Sequence, residues 1–180
     1  MPKSSAQKQE RRTAKELDGR ATPASGARWH SKGDVRAGRF LIECKTTEKD
    51  FYRLTAKTWD KICREALRDG MREPAMRIDL RDEHRDVRSY AVVSLESYVF
   101  ALRHEPGPGL KLVRCGSSSI RSALAVSIRD FAENRAATVL LSASKGREPD
   151  CRSVAVLPWA EFLRHVERMR IRDEKFGGGE

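Results

Sequence analysis

The sequence predicts an α/β fold, a mixed central sheet flanked by helices, followed by a C-terminal α/β extension. Three observations carry that expectation. Residues 39–45 (Arg39-Phe40-Leu41-Ile42-Glu43-Cys44-Lys45) suit a strand. Residues 8–18 and 55–69 carry apolar positions at helical spacing, and Gly19 and Gly70 stand where each helix should stop. Residues 75–80 and 90–94 read as two more strands, so strand and helix signals alternate along the chain.

At 180 residues the chain can build one core, or a core with a small second lobe. Its 36 Lys and Arg against 26 Asp and Glu give a formal charge of +10. The excess is spread along the chain, which favours a folded surface facing a polyanion, and nucleic acid fits best. An anionic membrane fits poorly, because no helix offers the Trp/Phe/Leu face that interfacial binding uses. No run approaches the ~18 to 20 apolar residues of a membrane span, and the N-terminus lacks the apolar region of a secretory signal, so a cytoplasmic location is expected. Cys44, Cys63, Cys115 and Cys151 form no Cys-x-x-Cys pair and read as reduced thiols. His30, His84, His104 and His165 show no ligand spacing and read as surface or internally satisfied histidines.

Taken in order, residues 1–7 form a polar leader expected to be mobile. On the first helix Ala6, Ala14 and Leu17 make a small apolar stripe with Glu10 on the same side, while Glu16 falls nearly opposite, on the surface. A carboxylate on the buried side of a polar helix is costly without a cation, which makes Glu10 a candidate third acid. Residues 20–33, with Pro23, Gly26 and Gly33, read as a loop, and Arg20, Arg28, Lys32 and Arg36 around it are natural phosphate contacts, with Arg11 and Arg12 beside Glu10. Trp29 is expected to anchor this loop. A tight turn at Ala37-Gly38 folds Asp34 and Val35 back beside the strand as a hairpin. In the second helix Trp59, Ile62, Cys63, Ala66 and Leu67 form the expected core face, and Arg53 and Lys57 at its start are further DNA contacts.

The mixed charges of residues 81–88 suit a solvated hairpin loop. Ser94 caps a helix through Leu102, with Leu95, Tyr98, Val99 and Leu102 inward. Residues 105–109 (Glu-Pro-Gly-Pro-Gly) make a linker between a core at 1–104 and the extension at 110–172. Residues 152–164 can be laid without gaps on 88–100, and 138–142 mirrors 75–80, so the extension reads as a degenerate echo of the core. The echo has no Glu-x-Lys between 112 and 128. Residues 173–180 are expected to be a disordered tail.

The chemistry centres on residues 34–45. Strand alternation puts Leu41, Glu43 and Lys45 on one face and Phe40, Ile42 and Cys44 on the other, and the hairpin brings Asp34 alongside. Two carboxylates and a lysine in one place suit Mg2+ or Mn2+ bound through hard oxygen ligands beside a phosphate. Such an ion makes a bound water more acidic and neutralises the phosphorane, and Lys45 can position that water or stabilise the same charge.

Four segments then follow one another in a familiar order: Gln9-Glu10-Arg11-Arg12, Thr22-Pro23-Ala24-Ser25-Gly26-Ala27, Gly33-Asp34 and Ile42-Glu43-Cys44-Lys45. Over roughly its first hundred residues the chain resembles the PD-(D/E)XK nuclease superfamily, and within it the archaeal-type Holliday-junction resolvases and their phage relatives. One departure is Gly33, where the superfamily name has proline. The resemblance implies a restriction-endonuclease-like sheet, Glu10, Asp34 and Glu43 as metal ligands, Lys45 as catalytic lysine and Ser25 as an active-site serine. It also implies a homodimer that cuts four-way DNA junctions in recombination and repair. Two alternatives stay open: a restriction-like or repair DNA nuclease of the same superfamily, and a non-catalytic DNA-binding module.

Overall fold

The computed structural model describes residues 4–22, 33–49, 52, 54–81, 86–102, 111–113, 137–140 and 153–176. The calls on Ser25, Arg28, Lys32, Arg53, Trp29, His30 and the 105–109 linker lie outside them. Helix α1 (Ser5–Glu16) leads into a short strand β1 (Arg20–Ala21), then β2 (Val35–Ala37), β3 (Phe40–Thr46), α2 (Ala56–Arg68), β4 (Glu73–Arg81), β5 (Val87–Ser94) and α3 (Leu95–Leu102). The C-terminal part adds β6 (Lys111–Val113), β7 (Ala137–Leu140), β8 (Ser153–Pro158) and α4 (Trp159–Phe176).

Among the described residues, eight strands join one mixed sheet in the order β1-β2-β3-β4-β5-β8-β7-β6. The hairpin β2–β3 is antiparallel, with Gly38 at φ 51 in its turn, and it sets Val35 opposite Ile42. Strands β3 and β4 are parallel and joined across the sheet by α2, while β4–β5 is antiparallel. On the far side the pattern repeats in mirror order: β6 and β7 are parallel, and β7–β8 is antiparallel. The two blocks meet where β5 and β8 run antiparallel with Val92 opposite Val156. Those two valines are also equivalent when residues 88–100 are laid on 152–164, so the block from β3 to β6 has the register of a local twofold axis through that pair.

The sheet separates two apolar layers. On one face Met76, Ile78, Tyr90, Val92, Val154 and Val156 pack with Leu54, Trp59 and Ile62 under α2. On the other, Phe40, Ile42, Cys44, Ala91, Val93 and Leu157 pack with Ala14 of α1, Tyr98 of α3 and Trp159 and Phe162 of α4. Burying such aliphatic and aromatic side chains stabilises the fold by roughly 1.5–3 kcal/mol each. Because β8 and α4 contribute to these same layers, the C-terminal segment completes the core that the N-terminal strands begin.

Several local expectations change. Helix α1 starts at Ser5, not residue 8, because the Ser4 hydroxyl accepts from the Gln7 amide as an N-cap. Its buried residues are Gln9, Thr13 and Ala14, while Ala6 is exposed. Leu67 is 61% exposed, not part of the α2 core, since α2 turns its Trp59–Ile62–Ala66 stripe inward. Helix α4 continues to Phe176, where a disordered tail was expected from residue 173, and Asp173 pairs with Arg39 at 3.2 Å. Among the described residues no helix is long and apolar enough to cross a membrane, and Cys44 and Cys63 are free thiols.

Candidate active site

The site is built at the C-terminal end of β3, near the edge of the sheet formed by β1 and β2. Gly33 opens the segment with φ 67, and a Cβ there would lie 2.6 Å from the Leu41 side chain. Proline, fixed near φ −65°, cannot adopt that backbone. Asp34 is then held from three directions. Its amide donates to the Ile42 carbonyl at 2.9 Å, its carbonyl accepts from the Thr22 amide at 2.8 Å, and its Oδ2 accepts from the Cys44 amide at 2.7 Å. That last bond brings its carboxylate to the strand position between Glu43 and Lys45.

Glu43 and Lys45 lie on the α2 face of β3, as alternation requires, and the Lys45 ammonium donates to Glu43 Oε1 at 2.6 Å. Glu43 keeps 12% of its side chain exposed and Lys45 38%, so the pair is reachable from solvent yet partly desolvated. Burial works against the Lys45 charge, but the hydrogen bond and charge of Glu43, followed by the charge of Asp34, outweigh it and hold its pKa above the ordinary value. Tyr52 lies in the same field; burial first, then the Glu43 charge, raises its pKa against Lys45.

Glu10 comes from α1. Its pKa is raised, first by burial and then by the negative charges of Asp34 and Glu43, with Lys45 opposing. Glu10 thus feels the negative charges of Asp34 and Glu43, and a cation would relieve that repulsion. The donors are all carboxylate oxygens, the set that suits Mg2+ or Mn2+. Among the described residues no group of three His, Cys, Asp or Glu side chains is already arranged to hold a metal ion; the Glu43 carboxylate is engaged by Lys45.

Two further residues, not singled out from sequence, position α1. Buried Gln9 donates from Nε2 to the Lys45 carbonyl at 3.1 Å and accepts from the Thr46 hydroxyl at 2.8 Å, fastening the helix beside Glu10 to the end of β3. Arg77, fully buried in β4, donates to Glu16 Oε2 at 2.6 Å, Asp79 Oδ1 at 3.0 Å and Thr13 Oγ1 at 3.1 Å, and its guanidinium lies 4.4 Å from the Trp159 ring centre. Glu16 is exposed, as expected, and is also the hub of this network. It also accepts from Trp159 Nε1 at 2.7 Å and Arg12 Nε at 2.8 Å. Burial opposes its ionisation, but the Arg12, Arg77 and Trp159 contacts win and lower its pKa.

The chain has no match among protein-family models, curated proteins or solved structures. The assignment of chemistry therefore rests on the geometry just described and on the sequence motifs.

The expected DNA contacts are placed unequally. Arg11, Arg20 and Lys57 are exposed. Arg12 pairs with Glu16. Arg36 forms a two-pronged bond to Asp69, at 2.7 and 2.5 Å, which ties β2 to the end of α2. His165, expected at the surface or internally satisfied, is fully buried against Phe40, Tyr98 and Phe162, and neither ring nitrogen has a hydrogen-bond partner. It lies on the sheet face opposite Glu43 and takes no part in the site.

Proposed function

We propose that the protein is a metal-dependent DNA endonuclease of the PD-(D/E)XK type with a restriction-endonuclease-like fold, acting on four-way junctions. What supports the reading is the Lys45–Glu43 pair at the end of β3, with Asp34 anchored on the Cys44 amide between them and Glu10 of α1 in the field of all three. A pure binding module gains nothing by turning carboxylates toward phosphate, which disfavours the non-catalytic alternative. Glu10, Asp34 and Glu43 would hold Mg2+ or Mn2+, which supplies charge neutralisation at the phosphate and a more acidic water. Asp34 is anchored at the end of β3 by the Cys44 amide. Lys45, charged and held by Glu43, orients the attacking water or stabilises the developing phosphorane charge. Ser25 would position the substrate strand, and a homodimer would present two such sites to opposing strands.

The four-way junction is the most specific substrate the sequence resemblance supports; a linear-duplex nuclease is the alternative within the same chemistry. Single-turnover cleavage of a labelled junction with Mg2+, with and without excess linear duplex of the same length, separates them. The junction reading expects paired nicks on opposing strands that linear DNA competes with poorly. Mole-for-mole displacement by linear duplex replaces it with the general nuclease, and absence of cleavage with either Mg2+ or Mn2+ removes both.

A further inference from the structure

Helix α2 carries a second feature of the surface that the site alone does not use. Lys57, Lys61, Arg64 and Arg68 follow at spacings of four, three and four residues, which at 3.6 residues per turn confines them to a strip about 60° wide. That strip points away from the Trp59–Ile62–Ala66 stripe that α2 buries in the core. Lys57, Arg64 and Arg68 are exposed, and Lys61 keeps 58% of its side chain in solvent. The acids of the same helix, Asp60 and Glu65, flank the strip; the Lys61 ammonium approaches Glu65 only to 3.7 Å. Four cations over a rise of about 16 Å cover the length of roughly five base pairs of duplex.

The orientation of α2 ties this strip to the site. Its C-terminal end is fixed at the start of β3, because Asp69 holds Arg36 and the Glu73 amide donates to the Arg39 carbonyl at 2.7 Å. Its N-terminal end therefore lies at the other end of β3, where Tyr52, just before the helix, feels the charges of Lys45 and Glu43. Lys57 stands nearest the carboxylates and Arg68 farthest from them, on the same face of the sheet.

We infer that the outer face of α2 is the docking surface for one duplex arm of the DNA substrate, tracking its sugar–phosphate backbone away from the cleavage site. The inference rests on the DNA-acting reading for the identity of the polyanion. Backbone contacts carry no base information, so the arm is gripped by charge and shape, independent of sequence.

The test is duplex binding by fluorescence anisotropy in a chelating buffer, so that no cleavage enters the readout. Each phosphate neutralised contributes about 0.9 to the log–log salt slope. The variant with Lys57→Gln, Lys61→Gln, Arg64→Gln and Arg68→Gln should lose about 3 to 4 from that slope. A folded intermediate case, Arg64→Gln with Arg68→Gln, should lose about 2, while Arg164→Gln with Arg170→Gln, exposed on α4 across the sheet, should lose none. An unchanged slope in the α2 variants, or an equal loss in the α4 pair, overturns the assignment. Wild-type protein that shows no salt-dependent duplex binding overturns it too and points to an acidic protein as the occupant. Wild-type protein that binds duplex through α2 but never cuts keeps the docking surface and removes the nuclease reading instead.

Discussion

Strands β3 and β6 occupy corresponding places in the sheet, and only one of them carries the acids. Across the ladder, Glu43 stands opposite Met76, and Met76 opposite Val92. On the other side of the Val92–Val156 pair, Val156 stands opposite Ala137, and Ala137 opposite Lys111. The register position of Glu43 is thus Lys111 in the C-terminal half, and that of Lys45 is Val113. The strand order and register repeat, with different side chains. Beside β3, the β1–β2 edge supplies Asp34 just before β2, and α1 supplies Glu10. The comparison teaches that the acids on which the proposed chemistry depends lie in one half, while the described strands of the other half supply sheet and core.

The largest expected contrast comes from the acids. Glu43→Gln or Asp34→Asn should abolish cleavage while DNA binding holds or tightens, because a negative charge facing phosphate is gone; Lys111→Gln should leave the rate as it is. A gel-based cleavage assay paired with anisotropy reads both, and equal losses at positions 43 and 111 break the asymmetry. Lys45→Ala sharpens it further. Removing one preorganised group typically costs ~10^2 to 10^3 in rate, so single-turnover cleavage should fall by that factor with little change in affinity. A large affinity loss at unchanged rate makes Lys45 a phosphate clamp.

The two halves are not independent, because Arg77 of β4 and Glu16 of α1 meet Trp159 of α4. Arg77→Met leaves Glu16 and Asp79 without their buried cation, and breaking such a network typically costs about 3–5 kcal/mol. Chemical denaturation should show that loss as one cooperative transition spanning both halves. A separate early transition of the C-terminal half would show that the network does not couple them.

A smaller effect separates the halves by pH. Burial among aromatic rings, with the Arg168 charge adding, pushes His165 down to about 4 from the ordinary 6.5. The unfolded chain therefore binds the extra proton first, and stability falls as pH drops from about 6.5 toward 4. At about 1.4 kcal/mol per pH unit the full loss is about 3 kcal/mol. His165→Phe should flatten that part of the stability profile; an unchanged slope places the titrating group elsewhere.

Much of this arrangement was legible in the residues themselves. Alternation along 39–45 put Glu43 and Lys45 on one face and Phe40, Ile42 and Cys44 on the other, because a strand buried on one face leaves little choice of register. The apolar stripe of α1 was read from Ala6, Ala14 and Leu17, but the helix buries Gln9, Thr13 and Ala14, because Gln9 bonds the end of β3. The roles of Glu16 and Arg77 were hidden, since a local pattern treats every charge as solvent-facing and cannot show that a distant arginine and Trp159 converge on one carboxylate. Leu67 was misplaced because it lies at the border of the apolar stripe, and His165 because its burial depends on α4 packing across Phe40 and Tyr98.

The central claim, that the acids of the N-terminal half form a divalent-cation site, is tested most directly by calorimetric titration of Mn2+ into the wild-type protein and into the variant carrying both Asp34→Asn and Glu43→Gln. The account predicts saturable binding in the wild type, weakened at low pH as Glu10, whose pKa is raised, protonates, and its loss in the variant with the fold intact. Binding of equal strength in both proteins, or none in the wild type, would contradict it.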